Sequence, residues 1–168
     1  MQRIVLTFGL IGGALLAVML LATVPFQEQI GFDRGAIVGY TTMVLAFLMV
    51  YFGVRSYREV VGGGAITFGR AFQVGLLISL VITVCYVAAW QVMYYGFMPD
   101  FLDKYTAFAL EKARQGGASE ADLARQANEL RDFAVMYRNP LVNIAFSFLE
   151  PLPVGLVFTL VTAGVLRW

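Results

Sequence analysis

The sequence contains no histidine and a single cysteine, Cys85, which sits in an apolar run. Without histidine the common zinc and haem ligand sets and every nucleophile-plus-imidazole arrangement drop out, and one cysteine forbids a disulfide within the chain. Cys85 reads as a small apolar packing residue. Charge is scarce as well: 14% of residues, 12 basic against 11 acidic, for a formal net charge of +1. No basic field is available for nucleic acid or polyphosphate, so nucleic acid is not expected as a partner. Acid chemistry without histidine would need paired or metal-bound carboxylates, and only one acid, Glu150, falls inside an apolar run. The expectation is a non-enzymatic chain with no metal and no cofactor.

What the sequence has in abundance is apolar surface. Hydrophobic residues make up 60% of the 168, and the mean hydropathy is +0.75, outside the range of soluble domains. Four runs reach the ~20 residues that a hydrocarbon core requires, at about 4–24, 35–54, 68–97 and 141–166. Together they fill enough of the chain that a single transmembrane domain is expected. The first run follows Arg3 in the charge order of a signal peptide, but it is too long for a usual h-region and lacks an A-x-A site, so it reads as a span ended by Pro25. A polar turn with Glu28, Asp33 and Arg34 leads to the second run, closed by Arg55, Arg58 and Glu59. Gly62, Gly63 and Gly64 make a turn, and Thr67 is placed to cap the third helix. Trp90, Tyr94 and Tyr95 read as an interfacial belt near the end of that helix, and Arg167 with Trp168 as the anchor of the last.

Residues 100–138 are different in kind, holding six of the basic and seven of the acidic side chains. Tyr105, Phe108, Ala109 and Lys112 keep a helical spacing up to Gly116 and Gly117, and Ser119 with Asp122 opens a second helix in the manner of a capping box. Leu123, Ala127, Leu130, Ala134 and Tyr137 then recur at spacings of 4, 3, 4 and 3, a helical seam. The expected fold is therefore all-α: an integral membrane four-helix bundle with an extramembrane helical hairpin between transmembrane helices 3 and 4. The seam faces the hairpin's own first half, the membrane surface or a second subunit. Arg3, Arg55, Arg58, Arg70 and Arg167 fall on one side of the membrane, against Arg34 and the charge-balanced hairpin, which places both termini in the cytoplasm. In a bacterium the hairpin would be periplasmic.

Two segments carry a family resemblance: Tyr57 to Ser79, YREVVGGGAITFGRAFQVGLLIS, and the stretch from Met136, MYRNPLVNIAFSFLEPLPVGLVFTLVTAGVLRW. The Arg and Gly-rich turn, the Thr67–Phe68 pair opening a helix, Gly75, and the Pro and Gly-containing last span resemble the bacterial membrane-protein family catalogued as domain of unknown function 4199. The resemblance covers nearly the whole chain. It implies a small four-span inner-membrane protein of unassigned activity and adds no chemistry.

Three features bear on function. Glu150 lies inside the last run beside Pro151 and Pro153, and an acid near mid-bilayer costs roughly 3 kcal/mol on insertion scales. The prolines leave the carbonyls of Ser147 and Leu149 without helical donors, so a broken span with an acid is a candidate proton or cation site. Depth counting gives Glu150 the expected partners Thr41, Thr42 and Tyr86. The alternative is that 141–149 belongs to the interface and Glu150 sits at headgroup level. Second, small residues recur every four positions: Gly9, Gly13 and Ala17; Gly35 and Gly39; Ala71, Gly75, Ser79 and Thr83; Gly155, Thr159 and Ala163. They serve packing within one bundle or a homo-oligomer. Third, Arg55, Arg58 and Arg70 around the glycines act as topology anchors or hold an anionic lipid headgroup, with the amides of the Gly62 to Gly64 turn assisting. The favoured function is a scaffold or partner-binding subunit that presents the hairpin, its partners being the lipid bilayer and another membrane protein or a second copy. The alternative is a proton or cation transporter or channel component that uses Glu150.

Overall fold

In the computed structural model the chain is 87% helical, with no strand among the described residues. The structure describes residues 1–167, and the side chains of all of these except Pro25, Gln27 and Glu28. The readings given to Trp168 and to those three side chains lie outside the described residues. Four helical segments are long and apolar enough to cross a membrane. They are α1 (Gln2–Thr23), α3 (Phe32–Val60), α4 (Phe68–Gly96) and Pro140–Leu166, the last made of α7 (Pro140–Leu149) and α8 (Leu152–Leu166). Between α1 and α3 lie a 3₁₀ turn (Val24–Phe26) and the single-turn α2 (Gln27–Ile30). Between α4 and α7 lie α5 (Phe101–Gln115) and α6 (Glu120–Tyr137).

The ends of these helices follow from local chemistry. The second span does not stop with the apolar run at 54, because Arg55 and Glu59 pair one turn apart at 2.9 Å and extend α3 to Val60. It stops at glycines in the left-handed region, Gly63 (φ 61°) and Gly64 (φ 95°). The Thr67 hydroxyl accepts from Arg70 N–H at 3.4 Å to open α4. At the end of α5, Ala118 N–H donates to Ala113 O and Gly117 N–H to Arg114 O, with Gly117 at φ 84°, the paired bonds of a Schellman stop. Ser119 Oγ accepts from Asp122 N–H at 3.2 Å to open α6. Asn139 Oδ1 accepts from Leu141 N–H at 3.0 Å with Pro140 in the first helical position, which opens α7.

Two compact units result: Met1–Trp90 together with the segment from Ser147 onward, and Gln91–Phe146. In the first, α1 and α8 both pack on α3, around Met43, Ala46, Phe47, Val50, Val54, Ile78 and Ile82. Five of its hydroxyl side chains, Thr42, Ser79, Thr83, Thr159 and Thr162, are buried, while Leu10, Val18, Val44, Leu45, Val84, Leu160, Val161 and Val165 are exposed. Water would impose the opposite arrangement; hydrocarbon tolerates bare leucine and valine and forces hydroxyls inward.

In the second unit α5 packs on α6. The α6 seam points away from solvent, with Leu123 and Tyr137 buried and Ala127, Leu130 and Ala134 half-buried. Within the chain the last member of the seam, Tyr137, meets Tyr94 and Phe146. An aromatic cluster ties the unit together: Tyr94 meets Phe101 and Tyr137, and Phe133 meets Tyr137 and Phe146, with ring centroids 5.3 to 6.4 Å apart. Outer faces carry ion pairs one turn apart, such as Lys104 with Asp100 at 2.9 Å. The Lys104 ammonium, hydrogen-bonded to Asp100, holds that carboxyl below its ordinary range. The folded chain thus binds this proton less readily than the unfolded one, so the pairing contributes fully above the unfolded pKa and is lost as pH falls through the folded one. Lys104→Gln is expected to move the Asp100 titration back up, read by carbon-detected NMR, and to lower the neutral-pH melting temperature only slightly because both groups are in solvent.

Candidate functional site

Pro151 and Pro153 set the geometry of the site. Neither has an N–H for the carbonyls of Ser147 and Leu149, so α7 ends at Leu149 and α8 restarts at Leu152, where Gly155 N–H donates to Pro151 O at 2.9 Å. Glu150 occupies the break. Its side chain is exposed, and the buried Tyr86 of α4 donates its hydroxyl to Glu150 Oε2 at 2.6 Å, a short O–H···O bond.

Of the three partners expected for Glu150, the structure brings only Tyr86 to it. Thr41 donates to Ile37 O at 2.7 Å and Thr42 to Val38 O at 2.8 Å, each four residues back on its own helix. The reason is general: depth counting says which residues share a level, not which way they face, and a helical threonine can satisfy its hydroxyl without leaving its helix. Pro151 is buried beside the break and Pro153 exposed.

Two further polar contacts were not paired from sequence. In the same unit the buried Ser79 hydroxyl lies 3.1 Å from Thr159 Oγ1 and donates to Gly155 O at 3.4 Å. The sequence displayed these residues only as members of small-residue ladders. In the other unit Gln91 Nε2 donates to Oδ1 of the fully buried Asn143 at 2.7 Å. Asn143 was overlooked, although an amide three residues into an otherwise apolar run is the signal that marks it.

The arginines are each anchored. Arg55 Nε donates to Glu59, Arg58 Nε to Gly64 O at 2.7 Å, and Arg70 Nη1 to Gln73 Oε1 at 2.9 Å. Two of the turn amides expected to assist them are used within the turn: Gly62 N–H donates to Tyr57 O and Gly64 N–H to Arg58 O.

Among the described residues no three of His, Cys, Asp or Glu come together. A lone carboxylate with a phenol donor can take up and release a proton or brace two helices. The family model described as protein of unknown function (DUF4199) matches residues 7–167. The chain belongs to this family. The DUF4199 match starts inside α1, takes in every later helix, and includes both segments that carried the resemblance except for Trp168. No curated protein and no solved structure matches the chain. Membership in DUF4199 brings no activity, so a functional reading rests on the geometry above.

Proposed function

We propose that this DUF4199 chain is a non-enzymatic scaffold of the bacterial inner membrane: a four-helix bundle in the bilayer that presents the α5–α6 pair outside it to a partner protein or a second copy. The observation that carries this reading is that residues 91–146 form a compact unit with an aromatic core of their own. A slack connection between two spans needs no such core. The distribution of arginines at span ends supports cytoplasmic termini and a periplasmic α5–α6 pair.

Depth supports the scaffold over transport. Counting ~20 residues inward from Arg3, Arg55, Arg70 and Arg167 gives hydrocarbon boundaries near Thr23, Gly35, Trp90 and Ser147. Glu150 then lies about 5 Å inside the far boundary at 1.5 Å per residue, within reach of headgroup and water. Replacing 100–138 with a flexible Gly/Ser linker is expected to leave the chain in the membrane and abolish its association with the partner or second copy, read by cross-linking and by the mass of the detergent-solubilised particle. The same mass and the same bound chain in the linker variant would overturn the proposal.

The Tyr86–Glu150 bond at a broken span favours one second reading, a proton or cation pathway. On that reading Glu150→Gln abolishes flux in liposomes; flux that is unaltered, or absent from the wild type, removes it.

A further inference from the structure

Independently of that reading, we propose that the turn between α3 and α4 is a binding site for the headgroup phosphate of an anionic phospholipid, held by Arg58 and Arg70. Of the three arginines flanking this turn, Arg55 has its charge met by Glu59 at 2.9 Å. Arg58 and Arg70 are held instead by neutral oxygens, the Gly64 carbonyl and the Gln73 amide. Among the described residues no carboxylate pairs with either, so they are fixed in place without being neutralised there. Arg58 is tied twice to the same glycine, its Nε donating to Gly64 O and its carbonyl accepting from Gly64 N–H at 3.0 Å. Because Nε alone is used in that tie, the two Nη groups keep the planar fork that suits a phosphate. A lysine could not brace the glycine and present a fork at once.

The glycines permit this geometry. Gly63 and Gly64 hold left-handed φ, and a Cβ on Gly62 would fall 2.2 Å from Ala65 O. With the amides of Gly62 and Gly64 already donated within the turn, the ligand meets guanidinium groups and not a backbone nest.

An apolar side chain beside the arginines identifies the ligand as lipid. Phe68 is 44% exposed. Free phosphate has no use for Phe68, which lies about 3 Å outside the boundary set at Arg70, whereas the glycerol portion of a phospholipid covers it. The turn also joins two membrane-length helices, which puts it at the level of headgroups.

The test uses the full chain in a zwitterionic detergent, titrated with phosphatidylglycerol or phosphatidylcholine and read by native mass spectrometry. Phosphatidylglycerol is expected to bind in preference. Arg70→Gln should weaken it roughly fivefold, the worth of one basic residue near an anionic headgroup, and Arg58→Lys should weaken it as well. Arg3→Gln, at the same end but off the turn, should change nothing. Because Arg58 also braces the turn, the decisive variant is Arg70→Gln, whose tie lies within its own helix, with helix content checked by circular dichroism. Equal binding of the two lipids, wild-type affinity in folded Arg70→Gln, or an equal loss in Arg3→Gln would each overturn the site. Displacement of the lipid by inorganic phosphate at equal concentration would overturn its assignment to a lipid.

Discussion

Gly13→Val is expected to lower the melting temperature of the solubilised protein sharply, while Gly39→Val leaves it in place. A Cβ on Gly13 would lie 2.5 Å from Cys85 Cβ and 2.6 Å from its Sγ, and one on Gly9 2.6 Å from Val81 Cβ. These contacts are close to the α4 backbone, so no flexible side-chain end can swing away and α1 must move off α4. Overpacking by a methylene costs about 1–3 kcal/mol, and a branched side chain inserted between two helices exceeds that. At Gly39 nothing lies within 4 Å, so the same substitution enters open space. Cys85 reports the separation, since its thiol should react faster with a maleimide once α1 has moved. Gly13→Ala combined with Cys85→Gly should recover most of what Gly13→Ala loses; a double variant as unstable as the sum of its parts would show that the two positions are not in contact. The same geometry bears on the four ladders. Gly9 and Gly13 meet α4, Gly75 meets Thr159 and Val50, and Gly155 meets Phe47 and Ser79, so three of the four ladders serve packing within the chain.

What could be read from sequence alone divides along physical lines. Helix stops and starts at Gly62 to Gly64, Thr67, Gly117, Ser119 and Pro151 were legible because each depends on a few adjacent residues. The length of α3 was not: hydropathy ends at Val54, whereas the Arg55–Glu59 pair carries the helix on in polar surroundings. Tyr86 could be matched to Glu150 because spans of known sense share depths, but the same arithmetic offered Thr41 and Thr42, which face elsewhere. The direction of the α6 seam was open for a related reason. An amphipathic stripe records that one side is covered, not what covers it.

That covering is what the largest expected effect in the second unit depends on. Tyr137 is 9% exposed and meets Tyr94 edge-on at 5.5 Å, Phe133 at 5.3 Å and Phe146 at 6.2 Å, so its ring joins α4, α6 and α7 within residues 91–146. Tyr137→Ala removes all three contacts and leaves a cavity where a large ring stood, a change that costs about 3–5 kcal/mol in a protein core. Amide protection in α5 and α6 should fall by the corresponding roughly two to four orders of magnitude, at about 1.4 kcal/mol per factor of ten, with α1 and α3 still protected. Tyr137→Phe keeps the ring and should keep most of the protection. Tyr105→Ala, at a 39% exposed position stacked on Phe101, should cost far less. If protection in α5 and α6 survives Tyr137→Ala, the aromatic cluster is not what orders them. The variant also sharpens the functional reading, because it keeps every surface side chain of α5 and α6 while loosening their mutual placement. A partner that recognises a fixed helical surface is then lost, whereas one that reads an extended segment stays bound.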